Sequence, residues 1–464
     1  MRPLSLIKQK GQVLIIVALA LPVLIGTVGL AIDSGLGYLI KAKLNAAVDS
    51  ASIAAARAVT QGTDQATQRA AAQQAAREFF AVNYPTGYLG STPTFNDPTV
   101  TFDMGKVTVD ATATAVVPVT LMRVLRFNLL NVVASGQAVR RDLDMSFVVD
   151  TSGSMSSRGS TVRQNAQLFL TKFNVVQDRI ALIHFAYGAI VDDQIKKPPN
   201  RGFNRTLMNQ HIGSYSFSGS TNSAEGFWHA RDQLNGIQPV SERSSLRVIV
   251  FFSDGAPNTF SSQFKFNPNT DCVNSVSKFR LPGGLSSGDA SSGTINGLWR
   301  IDDEDTPLPG SKCSISGGGG SGVLAIDALP TWYNAHPDPT TNANIDEFRV
   351  VGGGPAPVTS APTYKNVNWA SRNLLEQMAA KARSEGIYVL TLGLGDNLLS
   401  KEGPQPSDRG EDLLKCMANT VDALARCKTA GAGQPIGIYC HASTSDELKP
   451  CFDKLASAIM RISQ

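Results

Sequence analysis

Leu143-Asp-Met-Ser-Phe-Val-Val-Asp150-Thr-Ser152-Gly-Ser154 reads as a strand that runs straight into a polar, glycine-containing turn. Phe147, Val148 and Val149 are consecutive apolar residues, the mark of a strand covered on both faces. A second run of the same kind, Leu246-Arg-Val-Ile-Val-Phe-Phe252, also ends in a polar turn, Ser253-Asp254-Gly255. Outward from these two, helical and strand patterns alternate. Residues 158–173 predict a helix, 179–186 a strand, 222–235 a helix, 368–385 a helix, 387–393 a buried strand and 445–462 a closing helix. Buried strands alternating with helices predict an α/β fold on a doubly wound, mostly parallel sheet of Rossmann-like plan. Ligand sites in such sheets open at the carboxyl ends of the strands.

The turns carry the chemistry. Asp150, Ser152 and Ser154 place one carboxylate and two hydroxyls where the first strand turns towards a helix. The loop Gly219-Ser220-Thr221-Asn222 precedes another helix, and Asp254 follows the second buried strand. In a parallel sheet all three loops open on one edge. Two carboxylates and three hydroxyls, completed by water, suit an octahedral Mg²⁺ or Mn²⁺ better than zinc or copper. Side chains that only cap helices would explain one such loop, not three in this order.

Asp-x-Ser-x-Ser, then a loop Thr, then Ser-Asp-Gly resembles the metal-ion-dependent adhesion site of von Willebrand factor type A domains, with all five positions matched. The resemblance implies that Ser152, Ser154 and Thr221 bind the ion, that Asp150 and Asp254 form its acidic pair, acting wholly or partly through water, and that a partner's acidic side chain completes the shell.

The N-terminal region carries Arg2, Lys8 and Lys10, then an uncharged apolar run of twenty residues from Val13 to Ile32, enough to cross a bilayer as a helix. Pro22, Gly26 and Gly29 are tolerated in such spans. A cleaved signal peptide has a shorter apolar region, so the expectation is a retained anchor over 1–34, with its N-terminus cytoplasmic and the bulk periplasmic or extracellular. The Ala- and Gln-rich stretch from Leu44 to Val82 predicts a helical stalk over 35–83, broken at Gly62. Alternation in Lys106–Ala113 and again around Val132–Val139 predicts antiparallel strands in a small subdomain over 84–141. The type A region would then occupy 142–464.

Gly11-Gln12 with its apolar run to Pro22, then Gly29-Leu-Ala-Ile-Asp33 and the Ala-rich stretch Leu44–Ala58, resemble TadE/TadG-like Flp pilus-assembly proteins, whose TadG type joins such an anchor to a von Willebrand type A region. Prepilin-like processing after Gly11 would want a Glu where Ile16 stands, so the expectation is an unprocessed anchor, not a pilin subunit. The implied function is pilus assembly or anchoring in the inner membrane, through metal-dependent contact with a protein partner supplying Asp or Glu, without catalysis. A surface adhesin using the same site is the alternative.

From about 256 to 366 the alternation stops. The Gly-, Ser- and Pro-rich composition there predicts an inserted, partly disordered surface module, with a Cys272–Cys313 staple one possibility. The six cysteines show no zinc spacing and, in an exported chain, allow fifteen complete pairings, beside the alternative of buried free thiols. If 411–427 is one helix, Cys416 and Cys427 stand about 16 Å apart and cannot pair.

A net charge of +4, with no basic and aromatic cluster, argues against nucleic acid. Gly284-Leu-Ser286-Ser-Gly288 fits a nucleophile elbow but shows no flanking strand and helix, so a hydrolase is the weakest reading. Leu392-Gly-Leu-Gly395 reads as a tight strand exit. Asp142, Asp144, Asp192, Asp193 and Glu225 read as solvated charges. His184 reads as a satisfied core residue, and none of the five histidines comes with a nearby Asp or Cys at ligand or triad spacing.

Overall fold

The computed structural model describes residues 12–59, 65–103, 106–244, 246–266, 282–287, 295–308, 326–338, 341 and 345–462. The chain divides into two compact units, Met1–Arg140 and Arg141–Ser463.

The first unit opens with α1 (Gln12–Ala58), which is long and apolar enough to cross a membrane; its most apolar window has a mean hydropathy of 2.8. From Val13 to Ile32 its large side chains are exposed, whereas Ile40, Leu44, Ala47, Val48, Ala51 and Ala55 recur at helical spacing and are buried. They pack against α2 (Gln65–Asn83), through Ala72, Ala76 and Phe80, and a sheet of β1 (Thr92–Asp103), β2 (Lys106–Pro118) and β3 (Leu129–Arg141). On β2 the buried residues are Val107, Val109, Ala111, Ala113, Ala115 and Val117, the period of two that puts one face on a core. The helical segment is therefore no free stalk. It shares one core with the strands, so the boundary expected at 83/84 falls inside a single unit, because small alanines let helix and sheet approach closely. Gly62, the expected break, lies outside the described residues.

In chain order the second unit contains β4 (Leu143–Asp150), α3 (Gly159–Leu170), β5 (Arg179–Phe185), β6 (Ala189–Asp193), α4 (Arg205–Ser214), α5 (Ser223–Asn235) and β7 (Leu246–Ser253). Short strands β8 (Thr259–Ser262), β9 (Lys265–Phe266), β10 (Gly283–Ser286), β11 (Asn296–Trp299) and β12 (Ile326–Ala328) follow. The chain closes with α6 (Tyr364–Ser384), β13 (Tyr388–Leu394), α7 (Gly410–Ala418), α8 (Ala425–Ala430), β14 (Tyr439–Ala442) and α9 (Leu448–Ile462).

The main sheet runs β14-β13-β7-β4-β5-β6, parallel except for β6. One face of β4 sends Met145, Phe147 and Val149 into a core with Phe169 of α3, Ile212 of α4 and Phe452 of α9. The other packs Val148 beneath Phe227 of α5 and Leu374 of α6. Helices cover both faces, so the doubly wound α/β class holds.

The described parts of residues 255–366 pack onto the α/β layer. β8, β10 and β11 form a sheet of their own, and Phe260, Leu285, Leu298, Tyr333 and Phe348 are buried in the core shared with α5 and α6. Their apolar residues are too scattered among Gly and Ser to show a period, and burial comes from the α/β layer they cover. Cys272 and Cys313 lie outside the described residues.

The exclusion of a Cys416–Cys427 pair is overturned. The two form a disulfide with Cα atoms 5.3 Å apart, and Cys440–Cys451 form another at 5.6 Å. The single-helix premise fails because Asn419 adopts φ 54°, the left-handed cap that ends α7, and the chain turns back into α8. At the close of β13, Gly395 at φ 90° makes the expected tight exit.

Asp144 is not solvated. It is fully buried and accepts from Arg179 Nε at 2.7 Å, Arg179 Nη2 at 3.1 Å and the Ser244 N–H at 2.7 Å. Asp142 is buried as well and lies 3.5 Å from Arg201. Removing one partner of such a pair strands the other charge in a dry interior, so Asp144→Ala should lower stability by about 3–5 kcal/mol. All four tryptophans, Trp228, Trp299, Trp332 and Trp369, belong to the second unit, so urea unfolding followed by their fluorescence reads that loss directly. Peptide mapping without reductant should recover Cys416 linked to Cys427 and Cys440 linked to Cys451.

Candidate metal centre

Asp150 ends β4, and backbone pairing with β5 and β7 fixes where its carboxylate lies. Its Oδ1 accepts the Ser152 N–H at 2.8 Å, and its Oδ2 accepts the Ser253 hydroxyl, from the end of β7, at 2.6 Å. Ser152 Oγ lies 3.1 Å from Ser154 Oγ, which donates to Asp254 Oδ1 at 2.7 Å. Four of the five expected residues thus form one hydrogen-bonded chain across the ends of two adjacent parallel strands.

Thr221 arrives on the third loop. The Gly153 N–H donates to Gly219 O at 3.1 Å and the Ser218 N–H to Thr151 O at 3.0 Å, which binds that loop to the first. Asn258 then clasps Thr221, its side-chain oxygen accepting the Thr221 N–H at 2.9 Å and its own N–H donating to Thr221 O at 3.1 Å. Gly219 has φ 78°, and a Cβ there would stand 2.7 Å from the Tyr187 ring, so both backbone and space require glycine. Thr221 is buried, and the next residue, Asn222, caps α5.

Asp150 and Asp254 are buried. Burial pushes the Asp150 carboxyl above its usual range, against the bonds from Ser152 and Ser253. Asp254 is pushed up to about 7, first by burial and then by the charge of Asp150, with Ser154 and Arg158 opposing. Two carboxylates sharing a dry site disfavour joint ionisation until a positive charge joins them. A donor set made only of oxygen suits a hard divalent cation.

Several charges read as solvated prove to be paired within the fold, Asp192 and Asp193 partly buried and Glu225 fully. Asp192 is the extra residue where β6 shifts register against β5. It meets His184 Nδ1 at 2.8 Å and accepts from Tyr215 Oη at 2.7 Å, while His184 Nε2 lies 2.7 Å from Glu304 of the 255–366 segment. Asp193 faces His211 at 2.8 Å. Glu225 is fully buried on α5, accepting from Tyr333 Oη at 2.8 Å and contacting His336 and His229. Burial would raise its carboxyl, but His336, His229 and Ser261 bring it down to about 2. Glu304 and His336 lie 120 and 111 residues from His184 and Glu225, which spacing cannot foresee, whereas the four-residue spacing of Glu225 and His229 is a local signal. Ser286 does end a strand, yet it is buried with its hydroxyl 2.8 Å from Ser220 Oγ, not exposed as a nucleophile.

Residues 145–256, from β4 to just beyond Asp254, match the family profile of the von Willebrand factor type A domain. The chain carries a type A domain. Residues 11–58, nearly all of α1, match the Flp pilus-assembly TadE/G-like profile, so the chain joins the two parts its sequence resembles. Among solved structures it is similar to the PilB minor pilin from Streptococcus sanguinis, at 12% identity and TM-score 0.37 over 81% of this chain and 79% of that one. It is similar also to the vWF domain of the type V pili tip protein Mfa5 from Porphyromonas gingivalis, at 13% identity and TM-score 0.35 over 70% and 98%. No curated protein matches it.

Within the type A domain, His184 makes stability depend on pH. Burial lowers its affinity for a proton, but Asp192 and Glu304 outweigh this and raise its pKa to about 9. A raised folded-state value gives stability that is fully present below the unfolded value of about 6.5 and lost as pH rises through about 9, on the order of 3 kcal/mol at most. Urea unfolding at pH 6 and pH 9.5 should show that loss, and His184→Gln should flatten it.

Proposed function

We propose that this chain is a membrane-anchored component of Flp/Tad-type pilus assembly or anchoring, and that its type A domain binds a protein partner through Mg²⁺ or Mn²⁺ held by Asp150, Ser152, Ser154, Thr221 and Asp254. The observation that carries this reading is the bridge from Ser152 through Ser154 to Asp254, which joins the turn after β4 to the turn after β7 beside two buried carboxylates. The apolar part of α1 and the TadE/G-like match support the anchor and the pilus context.

The ion would supply positive charge that attracts a carboxylate from the partner. The chain's own residues do the rest. Asp150 is oriented by the Ser152 N–H and the Ser253 hydroxyl, so its oxygens are fixed before any cation arrives. Asp150 and Asp254 together neutralise a divalent charge, while the serine and threonine hydroxyls are neutral donors that leave the ion able to attract a further anion. This is binding chemistry and uses no nucleophile or general base. The basic residues Arg2, Lys8 and Lys10 favour a cytoplasmic N-terminus in the inner membrane, which puts the type A domain in the periplasm or beyond. Two disulfides suit that oxidising side.

The test is Mn²⁺ titration of the detergent-solubilised chain, paired with affinity capture from envelope extracts in Mg²⁺, in chelator, and with Asp150→Ala in Mg²⁺. Asp150→Ala should weaken Mn²⁺ binding at least about 10-fold, whether its carboxylate meets the ion directly or through water. Pilus-assembly partners should be lost with chelator and with the variant alike. Partners retained under all three conditions would end the metal-bridge reading, and partners confined to the outer surface would favour an adhesin.

A further inference from the structure

We propose a second metal site in the type A domain, separate from the all-oxygen centre, in which Glu225, His229 and His336 bind a Zn²⁺-class ion and fasten the 255–366 segment to α5. The ligand atoms of these three side chains lie within 4.8 Å of one another. An ion bound tetrahedrally by imidazole nitrogen and carboxylate oxygen holds its donors about 3.3 Å apart, so side-chain adjustment alone closes the site. Glu225 and His229 are four residues apart on α5 and therefore share one face. His336 comes from beyond β12.

The three donors converge. His229 Nε2 is 3.6 Å from Glu225 Oε1, and His336 Nε2 contacts that same oxygen. The second oxygen, Oε2, is occupied by the Tyr333 hydroxyl at 2.8 Å, an outer partner that orients the carboxylate and leaves Oε1 to face the imidazoles. The His336 ring is pinned by stacking on Trp228, with centroids 3.6 Å apart and planes 12° apart, and it meets His229 edge-on. The Glu225 side chain is 0% exposed, while His229 and His336 are 20% and 15% exposed, so an ion has a route in and a place for one water. Two imidazoles and a carboxylate select zinc or its transition-metal neighbours over Mg²⁺ or Ca²⁺. A second cluster, Glu376 with Cys416 and Cys427, offers no comparable site because its sulfurs are joined in a disulfide.

Such an ion would act as a clamp. Helix α5 begins immediately after the loop that carries Thr221, and the ion would bind residue 336 to that helix.

The experiment uses the full chain in detergent without a histidine tag, stripped with chelator, dialysed, and titrated with Zn²⁺ against a chromophoric competitor in excess Mg²⁺. The wild-type chain should take up one Zn²⁺, and Co²⁺ in its place should give the strong visible absorption of a four-coordinate site. His336→Gln and His229→Gln should each weaken uptake at least about 10-fold, with tryptophan fluorescence confirming that both remain folded. Asp150→Ala should leave uptake unchanged, so failure of the oxygen centre and failure of this site are told apart. Absence of uptake by the wild-type chain, or equal uptake by the histidine variants, would overturn the proposal.

Discussion

Everything at the oxygen centre depends on the parallel pairing of β4 with β5 on one side and β7 on the other. Parallel strands end on the same edge, so the turn after Asp150 and the turn after Ser253 must meet, and the Ser253 hydroxyl reaches the Asp150 carboxylate. The pairing is held by burial on both faces. Met145, Phe147 and Val149 look one way and Val148 the other, so a one-residue slip would carry each side chain into the wrong layer. At the far end of β4 the buried Asp144–Arg179 pair, shared with the Ser244 N–H, fixes the same register by charge.

The described parts of the 255–366 segment belong to this architecture. It contributes Phe260, Leu285 and Phe348 to the core over α5 and α6, and it supplies the carboxylate of Glu304 to His184 and the imidazole of His336 to Glu225. Tyr187 stacks on Trp299 at 3.7 Å, and Ser218, just before the Thr221 loop, donates to Asp305 at 3.0 Å. The segment therefore borders the candidate centre and stiffens its third loop, which gives a Gly- and Ser-rich stretch a structural role that its composition conceals.

The oxygen centre was legible because each of its parts is local. Asp150, Ser152 and Ser154 lie within one turn, and Asp254 stands two residues after an apolar run whose burial is plain from Val248 to Phe252. The charges were misread for the opposite reason. Glu225 and Asp192 look like solvent-facing acids beside polar neighbours, and nothing within ten residues of Glu225 announces Tyr333 or His336. Cys416 and Cys427 were judged by helical rise, and a single left-handed residue, Asn419, removed the helix on which that distance rested.

By itself, the sequence determined the apolar run suited to a membrane, the alternation of buried strands with helices, and the three loops bearing Asp150, Ser152, Ser154, Thr221 and Asp254. Those features follow from hydrophobic period and local turn chemistry, which act over a few residues. The tertiary structure alone decided that α1, α2 and β2 share a core, that described parts of the segment after β7 fold onto the sheet, that Cys416 pairs with Cys427, and that Glu225 meets His336. Each of these rests on contacts between residues distant in sequence or on the handedness of one turn, and a period read along the chain carries no information about either.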